Sequence, residues 1–190
     1  MNRKTHIAII LLIIASMFLV TTTIAFITRS ITIDSIITFG NLKMQLIETT
    51  IDENNIERQV ANNEVLDITH HSNVSRIVKV KNVGNHEFFA RVSLDMIGID
   101  ENNKEFDANY LVSYDLNTQD WIYQDNWYYY KKTLKENEIT TNLITQVKFD
   151  INNIMTNYSN GKFKFNINAE VVQTENNADN VLDAVGWPSA

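Results

Sequence analysis

The sequence predicts an all-β fold, a jelly-roll-like antiparallel β-sandwich with short peripheral helices that follows an N-terminal signal segment. Three observations support this prediction. Apolar and polar residues alternate with a period of two in several short runs. Clusters rich in Asn and Asp separate these runs, and no long amphipathic stripe with helical period lies between them. Residues 26–190 have the length of one domain.

The first part of the chain is arranged like a secretory signal. Arg3 and Lys4 precede a long apolar run, and Thr23 and Ala25 are small residues at the spacing that signal peptidases cleave. We therefore expect a signal peptide over 1–25. The alternative is an uncleaved membrane anchor, since the apolar run approaches the roughly 20 residues that span a bilayer. Cleavage is favoured because the threonines at its end lower the hydrophobicity that a spanning helix needs.

Charge and cysteine content exclude several classes of protein. The chain has a formal net charge of −7, and removal of the basic leader makes the remainder more acidic. Nucleic acid is therefore not an expected partner, because its affinity for proteins depends on Lys and Arg that neutralise phosphates. There is no cysteine, which excludes a disulfide framework and a cysteine-ligated metal. The exported domain must be stabilised by its core or by assembly with neighbours.

Alternation is clearest in the run EFFARVSLDMIGI, whose two faces differ in polarity. One face carries Phe88, Ala90, Val92, Leu94 and Met96, and the other carries Phe89, Arg91, Ser93 and Asp95. This pattern predicts a half-buried strand. Further strands are predicted at 31–40, 41–48, 76–84, 109–116, 143–150 and 162–173.

Turns and short helices account for the rest of the chain. The polar clusters DENN (52–55), VGNHE (83–87) and DENNK (100–104) are typical of turns. INNIMTNY (151–158) is predicted to form a helical turn. ADNVLDAVG (178–186) is predicted to form a short terminal helix that ends at Gly186.

The sequence gives little support to catalysis. His70 and His71 are weak candidates for a metal, because adjacent side chains in a loop or strand diverge and no HExxH motif exists. We interpret them as surface histidines. The sequence contains no G-x-S-x-G motif that would expose a nucleophilic serine. We therefore expect no enzyme active site and no cofactor.

The segment DNWYYYKKTL (125–134) concentrates aromatic residues in one predicted strand. In an extended chain Trp127 and Tyr129 point to one side, while Tyr128 and Tyr130 point to the other. A core-forming strand is the favoured interpretation, because aromatic residues are common in strands and pair across them. The alternative is an exposed face that contacts a sugar, a matrix polymer or a neighbouring subunit. That face would consist of Tyr128, Tyr130, Lys131 and Lys132.

The order of these features resembles the TasA and camelysin (CalY) family of exported bacterial proteins. The leader end TIAFITRS and the segment SIITFGNLKMQL resemble substrates of the signal peptidase SipW, with matches at Phe39, Gly40 and Leu42. VKVKNVGNHEFFARVSL resembles a family strand pair through Lys81, Asn82, Gly84, Arg91 and Val92. The run from 120 to 149 matches at Trp121, Asp125, Tyr128, Tyr129, Tyr130, Leu134, Thr140, Leu143, Val147 and Phe149. INAEVVQ matches at Ala169, Glu170, Val172 and Gln173, whereas Asn126 and Asn137 replace the usual glycines.

The resemblance implies a jelly-roll fold and a structural function outside the cell. TasA-like members form extracellular fibres, and the segment after the leader, here 26–39, would complete a neighbour's sheet as a donated strand. The expected assembly residues are Phe26, Ile31, Ile33, Ile36, Ile37 and Phe39. Two alternatives remain: a camelysin-like surface metallopeptidase, and a monomeric accessory adhesin that binds polysaccharide.

The expected partners follow from the same resemblance. They are other copies of this chain in a homopolymer, matrix polysaccharide or accessory matrix proteins, and a signal peptidase during export. The expected location is the extracellular matrix or cell surface of a Gram-positive-type bacterium.

Overall fold

The protein is an antiparallel β-sandwich, which confirms the predicted all-β class. The computed structural model describes residues 35–39, 41–61, 64–66, 68, 72–157 and 162–188, so the predicted leader lies outside the described residues. The strands are β1 (Ser35–Phe39), β2 (Leu42–Ile51), β3 (Glu57–Gln59), β4 (Val65–Leu66), β5 (Asn73–Ser75), β6 (Ile77–Asn82), β7 (Phe88–Ile99), β8 (Glu105–Asp107), β9 (Val112–Tyr114), β10 (Trp121–Gln124), β11 (Trp127–Tyr130), β12 (Gln146–Phe149) and β13 (Lys162–Gln173). A 3-10 helix (Asn109–Leu111) precedes β9, and α1 (Ile151–Asn157) follows β12. Within the described part of the chain, no helix has the length and apolar character needed to cross a membrane.

The largest sheet is organised around two long central strands. Its order is β10-β11-β7-β13-β4, and β8 also pairs with β7. The strands β7 and β13 are antiparallel over their full lengths, from Phe88 opposite Gln173 to Ile99 opposite Lys162. This ladder is the longest in the described chain, and the other strands of the sheet attach to its two sides.

Two smaller sheets complete the sandwich. In one sheet β2 lies between β6 on one side and the successive strands β1 and β3 on the other. In the other sheet the order is β5-β12-β9. An irregular segment runs along β6, where the amides of Thr140 and Leu143 donate to the carbonyls of Val80 and Val78. This segment connects β11 to β12 and covers the outer edge of β6.

A single main core lies between the sheets. It includes Met44 of β2, Val80 of β6, Phe88 and Val92 of β7, and Phe163 of β13, all of them buried. The predicted inward face of β7 is confirmed, with Leu94 as its half-buried member. Burial of these apolar side chains is the main driving force for closure of the sandwich.

The repeated sequence DENN forms the same turn twice. Asp52 accepts hydrogen bonds through Oδ1 from the amides of Asn54 and Ile56, each at 2.9 Å. Asp100 makes the equivalent bonds further along the chain. The last Asn of each turn is left-handed, with φ of 62° and 61°, a region that Asn tolerates better than most residues. The predicted turns are confirmed at both positions.

The helix predictions have different outcomes. The helix at 151–158 is confirmed as α1. The predicted terminal helix at 178–186 is wrong, because this segment forms turns. Asn177 Oδ1 accepts from the amides of Ala178 and Val185, and Asn180 Oδ1 accepts from the amide of Leu182. Side chains of this kind compete for the amides that would start a helix.

One predicted strand is shorter than expected for a related reason. The run 109–116 was expected to be extended throughout, yet it begins as the 3-10 helix. Asn109 Oδ1 accepts from the amide of Met96, and Asn109 Nδ2 donates to Asp95. These bonds tie the start of the run to β7, and regular pairing begins only at Val112.

Two asparagines perform the conformational role of glycine. Asn126 and Asn137, which replace glycines of the family pattern, both have a φ of 65°. Asn126 follows Asp125, whose φ is 50°, in the two-residue turn between β10 and β11. Two consecutive left-handed residues are typical of the tight hairpin turn that suits the twist of the flanking strands. At both positions the backbone has the left-handed conformation that glycine also adopts freely.

Substitutions of the exposed Asn137 test this interpretation. We expect Asn137→Ala to lower the free energy of unfolding by about 1 kcal/mol, because a left-handed backbone is strained for alanine. Asn137→Gly should stay close to wild type, since glycine adopts this conformation freely. Urea denaturation followed by circular dichroism measures both values. Equal stabilities of the Ala and Gly variants would contradict the backbone argument.

Candidate functional site

The predicted assembly segment is partly visible as β1. Phe26, Ile31 and Ile33 lie outside the described residues. The backbones of Ile36 and Phe39 belong to β1, and Ile37 is half-buried against the main core. β1 pairs with β2 of the same chain from Ser35 opposite Leu46 to Phe39 opposite Leu42. Only Gly40 and Asn41 connect the two strands.

β1 is an edge strand. Among the described residues it pairs with β2 alone, so its other edge has no strand partner in this part of the chain. Thr38 and Lys43 lie opposite each other across the β1–β2 pair, and both are exposed. An edge strand is a site where another strand can add or exchange.

The aromatic strand β11 is covered on both faces, which agrees with the favoured interpretation of a core-forming strand and not with the alternative of one exposed contact face. Tyr130 is only 5% exposed and packs against Trp121 with a ring separation of 5.1 Å. It is therefore not available to a ligand. Lys131 Nζ donates to the carbonyls of Thr118 and Gln119.

The other members of that predicted surface have separate positions. Lys132 Nζ lies 3.3 Å from a carboxylate oxygen of Asp120. Tyr128 is half-buried and packs against the main core. The proposed tyrosine and lysine face therefore does not exist as one surface, and Tyr128 alone contributes to the groove described below.

A buried cation packs against the other face of β11. Arg91 of β7 donates through Nε and Nη2 to Glu170 Oε2 of β13, at 2.9 and 2.6 Å. Its Nη1 donates to the Tyr129 hydroxyl at 3.1 Å. The guanidinium carbon lies 4.3 Å from the ring centroid of Trp127 and 4.5 Å from that of Trp187. These five residues form the Arg91 cluster.

The C-terminal segment covers this cluster. Val181, Ala184 and Trp187 are buried against the outer face of β7 and β13 together with Phe89 and Val172. Trp187 Nε1 donates to the Ala184 carbonyl at 3.0 Å, which fixes the indole over the guanidinium. The position of Arg91 on the polar face of the pattern predicted exposure, whereas its side chain is only 7% exposed. The resemblance marked both Arg91 and Glu170, and this was the available signal for their pairing.

A groove lined by tyrosines opens between β9 and the largest sheet. Its main lining residues are Tyr114 of β9, Tyr123 of β10, Tyr128 of β11, Asp95 of β7, Asn109 and Asn126. Its volume is about 540 Å³, within the range of small-molecule sites. Tyr123 and Tyr128 are directly opposite across β10 and β11, with ring centroids 4.8 Å apart. We refer to this feature as the tyrosine groove.

Polar groups in the tyrosine groove are only partly paired within the protein. The Tyr123 hydroxyl donates to Asn126 Oδ1 at 3.0 Å, and Asn109 Nδ2 donates to Asp95 at 2.6 Å. The buried hydroxyl of Tyr114 has no hydrogen-bond partner among the described residues. Burial raises the pKa of Tyr114, and Tyr128, Asp95 and Asp107 raise it further. The hydroxyl therefore keeps its proton and remains a donor.

A second ionic site lies beside β2. Arg76 is buried, with Nε 3.4 Å from Glu48 Oε1 and Nη2 2.9 Å from Glu64 Oε1. Burial raises the pKa of Glu48 to about 6, Arg76 lowers it, and the negative charge of Glu64 raises it. The cost of desolvation exceeds the attraction of the nearby guanidinium.

Metal-binding geometry is not found in the described residues, where no group of three or more His, Asp or Glu side chains is arranged to hold an ion. His70 and His71 lie outside the described residues.

Comparison with known proteins gave no relatives: no protein-family model, no curated protein and no solved structure matches the chain.

Removal of one partner of the Arg91–Glu170 pair tests its structural role. We expect Arg91→Met to lower the free energy of unfolding by about 3–5 kcal/mol, because the carboxylate of Glu170 is then buried without a partner. The double variant Arg91→Met, Glu170→Met should recover much of the loss. Lys132→Met removes an exposed pair instead and should have little effect. Thermal and urea denaturation compare these three variants with wild type, and an Arg91→Met protein as stable as wild type would contradict the assignment.

Glu48 predicts a specific pH dependence of stability. Its folded pKa is raised above the unfolded value near 4.5, so its stabilising contribution is present below pH 4.5 and is lost as the pH rises through about 6. The loss amounts to about 2 kcal/mol. Glu48→Gln should remove this decrease between pH 4.5 and 7, and Glu136→Gln serves as the exposed control. Urea denaturation across this range measures the effect, and parallel curves for wild type and Glu48→Gln would refute it.

Proposed function

We propose that this chain is an exported structural protein of the bacterial cell surface or biofilm matrix, and that it assembles into fibres by exchange of β1. The observation that carries this proposal is the position of β1. It is a short edge strand near the predicted start of the mature chain, and it is held by β2 through one ladder and by Ile37 through the core. The resemblance to fibre-forming exported proteins supports the same function.

The β1–β2 pairing has the energetic properties that exchange requires. If β1 leaves its own β2 and pairs with β2 of a second chain, the same ladder and the same Ile37 contact are formed again. The exchanged and closed forms then differ mainly in the two-residue connection at 40–41 and in the entropy of association. A donor strand N-terminal to that connection, 26–39, would extend the pairing beyond β1.

Directional donation also explains how a fibre would grow. Each chain gives one strand and receives one strand, and when it gives to one neighbour and receives from another the contact is head-to-tail and extends into a fibre instead of closing in a two-fold dimer. With no cysteine in the sequence, the link between subunits would depend on backbone hydrogen bonds and apolar packing. In this proposal the partners are other copies of the chain, and a signal peptidase frees the donor strand during export.

A reversible covalent lock tests strand exchange. Thr38→Cys with Lys43→Cys places two cysteines at opposed, exposed positions of β1 and β2, at a separation that suits a disulfide. The wild-type chain contains no cysteine, so the two introduced thiols can pair only with each other or with those of another chain. We expect the oxidised monomer to form no fibres by electron microscopy, because β1 cannot leave its own chain. The reduced protein should form fibres like wild type.

The order of oxidation gives a second readout. Oxidation after assembly should join successive chains, which a non-reducing gel detects as a ladder of covalent multimers. The control pair Ile51→Cys with Glu57→Cys closes the β2–β3 hairpin instead and should leave assembly intact. Fibres that form equally well from the oxidised and reduced Thr38/Lys43 variant would overturn the proposal.

A further inference from the structure

The tyrosine groove is separate from the elements used in the proposed assembly. Its lining residues belong to β7, β9, β10, β11 and the loops next to them, and none belongs to β1 or β2. The groove combines an aromatic surface with donors and acceptors. Tyr123 is 58% exposed, and its ring pairs with that of Tyr128.

The chemistry of the lining selects one class of ligand. A pyranose ring has an apolar C–H face that can pack on an aromatic ring, and its hydroxyl groups need donors and acceptors. Tyr123 and Tyr128 supply the ring surface. Asp95, Asn109 and Asn126 supply acceptors and amide groups.

The charge of the site excludes acidic ligands. Asp95 lines the groove, and it also borders an adjacent depression that contains Glu105 and Asp107. No Lys or Arg lines the tyrosine groove within the described part of the chain. Phosphates, nucleic acids and acidic polysaccharides would therefore meet negative charge without compensation.

We propose that the tyrosine groove binds a saccharide chain without acidic groups, with a sugar ring stacked on Tyr123 and polar contacts to Asp95, Asn109 and Asn126. The volume of about 540 Å³ accommodates a short segment of such a chain. The site would attach the protein to a neutral or amine-bearing polysaccharide outside the cell.

Binding by the full chain to three oligosaccharides tests the ligand class. The probes are a hexamer of glucose, a hexamer of glucosamine and a hexamer of galacturonic acid, measured by isothermal titration calorimetry. We expect the neutral and the amine-bearing hexamers to bind and the acidic hexamer not to bind. Failure of both the neutral and the amine-bearing hexamers, or equal binding of the acidic one, overturns the proposal.

Variants of Tyr123 test the location. Tyr123→Ala should weaken binding roughly tenfold, because the stacking surface is lost. Tyr123→Phe should remain within about twofold of wild type, because the ring is retained. Tyr110→Ala is the matched control, since Tyr110 is 60% exposed but lines a different cavity. Unchanged binding by Tyr123→Ala, or equal losses in the Ala and Phe variants, would contradict the stacking geometry. Urea denaturation of each variant confirms that it is folded.

Discussion

The central constraint on this structure is the salt bridge between Arg91 and Glu170, which lie directly opposite each other in the ladder of β7 and β13. A charged pair buried on the outer face of a sheet is costly unless other groups surround it and complete its hydrogen bonds. Tyr129, Trp127 and Trp187 meet that requirement from β11 and from the C-terminal segment. The pair therefore constrains the positions of β11 and of the C-terminal segment, and the main core forms on the opposite face of the same strands.

The proposed strand exchange takes place at an edge of the sandwich, outside the central ladder of β7 and β13. The long ladder and the Arg91 cluster fix the largest sheet, whereas β1 is held by one neighbour at the start of the described chain. The proposed exchange of β1 uses this difference in local stability, since edge elements with few partners open more easily than central strands. The tyrosine groove lies elsewhere, so assembly of subunits and attachment to a polysaccharide can operate at the same time.

Local patterns predicted the strands well, and long-range contacts explain what they missed. The alternation in β7 correctly identified Phe88, Ala90, Val92 and Met96 as core residues. It also suggested that the opposite face is exposed, because nothing near Arg91 in sequence reveals that residues 181–187 fold over it. For the same reason the burial of Tyr130 and the tyrosine groove could not be predicted, since both depend on packing between distant strands. The terminal helix failed because the side chains of Asn177 and Asn180 bind the backbone amides that a helix would use.

Contacts between chains inside the fibre test the account most directly. Fibres can be grown from an equal mixture of chains labelled with carbon-13 and chains labelled with nitrogen-15, and solid-state NMR then detects only contacts between different chains. Strand exchange predicts strong contacts between residues 35–39 of one chain and 42–46 of another, in the register that pairs Ser35 with Leu46. If these contacts are found in fibres of uniformly labelled chains but are absent from the mixed fibres, they form within one chain. In that case β1 remains on its own β2, and the proposed mechanism of assembly is wrong.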